Sequence, residues 1–140
     1  AYFKKHQQVY SNRLLGYSNG EVNEWVQFFL SGVSEIAKEA IDIVYKITKL
    51  REQDILQIQG MDKRSSKSAV AVLPKLFELP IVDVSTIQKW TGFSRNGAQK
   101  LIERFVDLGI LKLRHSDKKY NKSYIYKNYV DIFYNAHIDN

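Results

Sequence analysis

Arg95, Asn96, Gln99, Lys100 and Glu103 fall at helical spacing and carry the most legible chemistry in the chain. Residues three and four apart lie on one face of a helix, so these five would share a surface. Arginine can fork onto guanine, asparagine and glutamine onto adenine, and lysine can neutralise a phosphate; four of the five are therefore types used for groove contacts in nucleic acid. Glu103 is the misfit, because phosphates repel it unless it accepts from a cytosine amine. Downstream, residues 112–122 hold five Lys/Arg against one acid. Arg114, Lys118, Lys119 and Lys122 of that run could lie along a phosphate backbone, adding affinity without sequence information. Exposed helix faces are polar whatever they do, so residue types alone leave ordinary solvation open.

Catalytic chemistry has no comparable support. His6, His115 and His137 are isolated, without an HExxH pair or carboxylates at metal-ligand spacing. No Walker loop, GxSxG elbow or dinucleotide fingerprint occurs. No catalytic, metal or cofactor site is expected in these residues.

The elements that would position the polar face can be read around it. Val70, Val72, Leu73, Leu76 and Phe77 predict a short helix ending before Pro80. Val82 and Val84 alternate around Asp83 as a brief strand. Ser85 and Gln88 have the spacing of a capping box at the start of the next helix, which Gly92 stops. Phe93 is expected to be buried in the turn, and Ser94 to cap the following helix. There Ala98, Leu101, Ile102, Phe105 and Leu108 define an inner face, which leaves the polar five outside. Gly97 weakens that helix by about 1 kcal/mol relative to Ala, which would make sense if another backbone, of the preceding helix or of DNA, approaches closely. Gly109 ends the helix. Ile110, Leu111 and Leu113 predict a strand, and Ser123 to Tyr126 its partner, with the lysine-rich loop between them. Tyr129, Val130, Ile132, Phe133 and Tyr134 suggest a final helix. This order is that of a winged helix-turn-helix domain with a small β-hairpin wing.

Charge is divided along the chain. Residues 1–60 hold seven Lys/Arg and seven Asp/Glu, whereas residues 61–140 hold fourteen and eight, so the whole net charge of +6 lies in the second stretch. Such an excess is the footprint expected for a phosphate backbone partner. Gly60 to Ser68 contains one glycine, three serines and four charges, which is linker composition. Upstream, Tyr2, Phe3, Val9, Tyr10, Leu14 and Leu15 predict a first helix before Ser18-Asn19-Gly20. Val26, Phe29, Val33, Ile36, Ala40, Ile43, Ile47 and Leu50 then follow alternating three- and four-residue steps, a helix-packing seam. A second stripe, Phe28, Leu30, Ala37, Ile41 and Val44, cannot be covered by a two-helix hairpin alone. The apolar runs are too short for a membrane span, no signal-like segment opens the chain, and cysteine is absent; a reducing, cytoplasmic setting is expected.

Tyr2-Phe3-Lys4-Lys5-His6, Tyr10, Leu14, Gly20 and the block W-x-x-F-F-L-x-G-V from Trp25 to Val33 resemble the segment that follows the catalytic core in the Fic family. Members of that family mostly transfer AMP from ATP to protein hydroxyls. The long helix and the Leu73 to Tyr129 region resemble the C-terminal extension of many bacterial members. The family signature, H-P-F-x-(D/E)-G-N-G-R, has no counterpart, since no histidine here precedes proline, and no catalytic residue carries over. The resemblance implies a piece of a longer protein whose catalytic core lies elsewhere.

The sequence thus predicts a mainly α chain: a helical hairpin over 1–60, a linker over 61–68 and a winged helix-turn-helix domain over 69–140. Double-stranded DNA is the expected partner of Arg95, Asn96, Gln99, Lys100, Arg114, Lys118, Lys119 and Lys122. Val26, Phe29, Val33, Ile36, Ile43 and Ile47 are expected to meet the absent catalytic core or a second copy. Two alternatives are a protein-interaction or autoregulatory module, and a stand-alone dimeric repressor.

Overall fold

The structure, a computed structural model, describes residues 6–9, 11, 22–115, 117 and 119–138. It is mainly helical with one small three-stranded antiparallel sheet, and it divides into two compact units, Ala1–Tyr45 and Lys46–Asn140.

In the first unit, residues 7–9 and 11 are helical, while Tyr2, Phe3, Tyr10, Leu14 and Leu15 of the expected first helix lie outside the described residues. Helix α1 (Val22–Gln59) begins here and runs on into the second unit. Its 38 residues contain no proline and one glycine, Gly32, so nothing in its interior forces a break. Trp25 and Phe29, one turn apart, stack with ring centroids 5.5 Å apart. Both apolar stripes reach solvent: Val26, Phe29, Val33 and Ile36 are exposed, and Leu30, Ile41 and Val44 more so, at 58, 68 and 61%.

In the second unit, the end of α1 is part of the core. Ile58 is fully buried, and Leu50 and Ile55 pack against the same cluster. The backbone then turns at Gly60 and Met61, whose N–H groups donate to Gln57 and Ile58 carbonyls at 3.2 and 3.0 Å. Asp62 accepts from the Ser65 N–H at 3.0 Å and caps helix α2 (Lys63–Glu78). This corrects the expected linker at 61–68, because Lys63 to Ser68 form the opening turns of α2. A single capped donor converts a polar run into a helix start, and Ala69 behind it is buried. Pro74 lies inside α2, where its ring leaves the Val70 carbonyl without its helical donor; Val70 is exposed, so water can reach that carbonyl.

Strand β1 (Ile81–Asp83), helix α3 (Val84–Thr91), helix α4 (Arg95–Asp107), strands β2 (Lys112–Leu113) and β3 (Ser123–Ile125), and helix α5 (Lys127–Ile138) follow. β3 is central in the order β1-β3-β2, with Tyr124 opposite both Val82 and Leu113. The brief strand expected around Asp83 is β1, which pairs with the expected hairpin as a third strand, while Val84 opens α3 instead of extending it. Leu73, Leu76, Ile87, Ile102, Phe105 and Leu111 fill the interior between sheet and helices. Gly109, at φ 76°, ends α4: its N–H donates to Val106 and that of Ile110 to Phe105, both at 2.9 Å. That pair of bonds is the Schellman closure that glycine favours.

Tyr126 joins three helices to the sheet. Its ring meets Phe77 edge-on at 5.3 Å and stacks with Tyr129 at 5.6 Å, and its hydroxyl donates to the Asp54 carboxylate of α1. Asp54 is only 4% exposed. Burial pushes its carboxyl above the ordinary value despite the Tyr126 hydrogen bond, and burial with the neighbouring Asp54 pushes the Tyr126 phenol well up. Trp90 of α3 is half-buried, with the Lys75 ammonium 5.8 Å from its ring centre.

Candidate nucleic-acid interface

Local chemistry sets the turn between α3 and α4. Asp83 caps α3, its carboxylate accepting from the Thr86 N–H at 2.8 Å and the Thr86 hydroxyl at 2.9 Å. The expected capping box is corrected here: Ser85 lies inside the first turn, and the Gln88 amide faces the Phe93 carbonyl at 3.5 Å instead of reaching back. A carboxylate satisfying two donors outcompetes the serine two residues later. Those bonds, the Thr86 N–H first, hold the Asp83 carboxyl below the usual range.

Gly92 sits at φ 71° and donates to Gln88 at 2.8 Å, ending α3 as expected. Ser94 accepts from the Gly97 N–H at 3.2 Å and caps α4. Phe93, expected inside, is 37% exposed, because the three-residue turn leaves its side chain no interior to enter. A methyl group at Gly97 would lie 3.4 Å from Phe93 Cβ and Ser94 Oγ, an ordinary contact. The nearest neighbour at Gly97 is thus the preceding turn.

α4 buries Ala98, Leu101, Ile102 and Phe105 and exposes Arg95, Asn96, Lys100 and Glu103. Gln99 is half-buried and donates to Glu103 at 3.1 Å, so the misfit acid holds an expected reader. At 100° per residue, Asn96 and Glu103 crown the ridge, with Arg95 and Gln99 to one side and Lys100 and Arg104 toward the other.

Two depressions flank this ridge. One, of about 260 Å³, brings Arg95 and Gln99 together with Lys119 and Lys122 of the β2–β3 loop, and Ser85 lines it too. Tyr120 and Asn121 of that loop line it as well; Tyr120 is 84% exposed and Asn121 takes φ 52°, a left-handed turn that asparagine tolerates. Lys118 lies outside the described residues. The other depression, about 520 Å³, is lined by Arg64, Ser65 and Ser68 of α2 and Lys100 and Arg104 of α4, with Phe93 among its apolar walls. Arg104 is paired with Asp62 at 2.8 Å. Hydrogen bonds from Ser65, then Arg104, hold the Asp62 carboxyl below its ordinary value.

The expected set is therefore divided. Arg95, Gln99, Lys119 and Lys122 share one groove, Lys100 lines the second, and Asn96 stands on the ridge between. Arg114 lies apart, in a depression it shares with Lys112 and Lys127. Ser85 and Tyr120 were missed, though the run Lys119-Tyr120-Asn121-Lys122 shows an aromatic among lysines. Arg64, Ser65 and Ser68 were missed because they read as linker.

Among the described residues, no group of three or more His, Cys, Asp or Glu side chains could hold a metal ion, and no helix is long and apolar enough to cross a membrane. Comparison with protein-family models and with curated proteins finds no match to this chain.

Proposed function

We propose that α2 to α5 form a winged helix-turn-helix module that binds double-stranded DNA, with α4 in the major groove and the β2–β3 loop along a backbone. The observation that carries this reading is the shared groove of Arg95, Gln99, Lys119 and Lys122, which joins groove-reading types on a helix to backbone-neutralising lysines on a loop. Asp107 ends α4, away from the N-terminal residues that a recognition helix uses on base edges, whereas Glu103 stands on the ridge and holds Gln99. On this reading the chain performs no catalysis itself. The Trp25 to Val33 block supports a parent protein of the Fic type, with α1 turned toward its AMP-transferring core.

Fluorescence anisotropy with a labelled mixed-sequence duplex tests the module. Binding should weaken linearly on a log–log plot against salt, and Lys119→Ala with Lys122→Ala should flatten the slope by about two units, roughly 0.9 per phosphate contact. Absence of duplex binding at about 50 mM salt would sink the reading.

A second reading, a protein-interaction module, draws on the exposed Leu30, Ile41 and Val44 of α1. An exposed apolar stripe on a helix fits a protein partner better than a phosphate backbone.

A further inference from the structure

A helix seated in the major groove has a sugar–phosphate backbone on each side. α-Helices with side chains are about 10–12 Å across and the groove is about 12 Å wide, so both flanks of such a helix face phosphate. Lys119 and Lys122, among the described residues of the β2–β3 loop, serve one flank of α4. On the other, about half a turn around the helix, the larger depression is walled by the opening turns of α2.

Its chemistry suits an anionic, partly apolar chain. Arg64 and Lys100 bring positive charge, Ser68 brings a hydroxyl donor, and Phe93 offers an apolar surface against which a deoxyribose can lie. Arg104 lines the same depression, but its charge is largely cancelled by Asp62. The net positive charge offered to a ligand therefore comes from Arg64 and Lys100.

We propose that Arg64, Ser68 and Lys100 hold the second backbone of the same duplex, so that α4 is clamped between two phosphate contacts. The assignment rests on α4 being the groove helix. It gives the N-terminal turns of α2 a binding role, and it makes Asp62 a negative element that tempers affinity by pairing with Arg104. A phosphate backbone fits better than an acidic peptide, because the two depressions lie on opposite flanks of one ridge and a duplex presents two such strands.

Duplex anisotropy against salt tests this with three variants: Arg64→Ala with Lys100→Ala, Lys119→Ala with Lys122→Ala, and all four together. The first pair should flatten the log–log slope by about two units, independently of the second, and the fourfold variant by the sum of both. Asp62→Asn retains a capping side chain, drops the charge and should bind severalfold more tightly. All these positions are exposed or half-buried, and circular dichroism melts will confirm folding. A wild-type slope in the Arg64→Ala, Lys100→Ala variant, with flattening in the loop variant, overturns the second contact and leaves the duplex reading standing. So does a loss of affinity for an acidic peptide with duplex binding unchanged. No duplex binding by the wild type overturns both.

Discussion

Glu103 holds the Gln99 amide at 3.1 Å and places a negative charge on the ridge of α4. Both effects oppose a nucleic-acid partner, one by occupying a reader and the other by repelling phosphate. Glu103→Gln should accordingly raise duplex affinity severalfold without changing the melting temperature, as measured by anisotropy and circular dichroism. Unchanged binding would overturn this repulsion, and weaker binding would mean that Glu103 accepts from a base. A second acid acts on stability. Burial raises the Asp54 carboxyl above 3.8, so the folded state holds that proton more tightly than the unfolded chain. Its contribution is fully present below about 3.8 and is lost as pH rises through the folded value. Asp54→Asn, which keeps an acceptor for the Tyr126 hydroxyl, should therefore be more stable than wild type near pH 7. The advantage should shrink toward pH 4 in urea titrations. Tyr126→Phe removes the donor and should cost about 1–3 kcal/mol.

At the scale of elements, the turn between α3 and α4 was largely legible because its determinants are local. Gly92 needs only its own φ, and Ser94 reaches only three residues ahead. Gly92→Ala should cost about 1–2 kcal/mol, the penalty of a Cβ in the left-handed region. Gly97→Ala, with ordinary contacts around its new methyl group, should instead stabilise by up to about 1 kcal/mol; thermal melts of the two variants should move in opposite directions. The opening of α2 was not legible. Its cap is one carboxylate in a serine- and lysine-rich run, and that composition reads equally as a linker. Nor was the second depression, since Arg64 and Lys100 meet only through the packing of α2 on α4. The Asp83 cap shows a smaller failure of the same kind: the sequence pointed to Ser85 and read Asp83 as a strand residue, whereas both Thr86 donors reach the Asp83 carboxylate.

At the scale of the whole molecule, composition placed the excess charge correctly in the second part of the chain and placed the seam less well. The seam was drawn where glycine and serine concentrate, whereas packing draws it earlier, since Asp54 and Ile58 of α1 are buried in the second unit. A fragment of residues 46–140 should melt cooperatively, and one of residues 69–140 should not, because the shorter piece loses Ile58, the Asp54 partner of Tyr126 and the first turns of α2. Two cooperative melts would return the boundary to 61–68.

The two tryptophans fall one in each unit, Trp25 on Phe29 in the first and Trp90 near Lys75 in the second. Trp25→Phe and Trp90→Phe variants would thus each carry a single tryptophan, which excitation at about 295 nm selects over the tyrosines. The chain has built-in optical labels by which denaturation of either unit can be followed in the intact protein, without any dye.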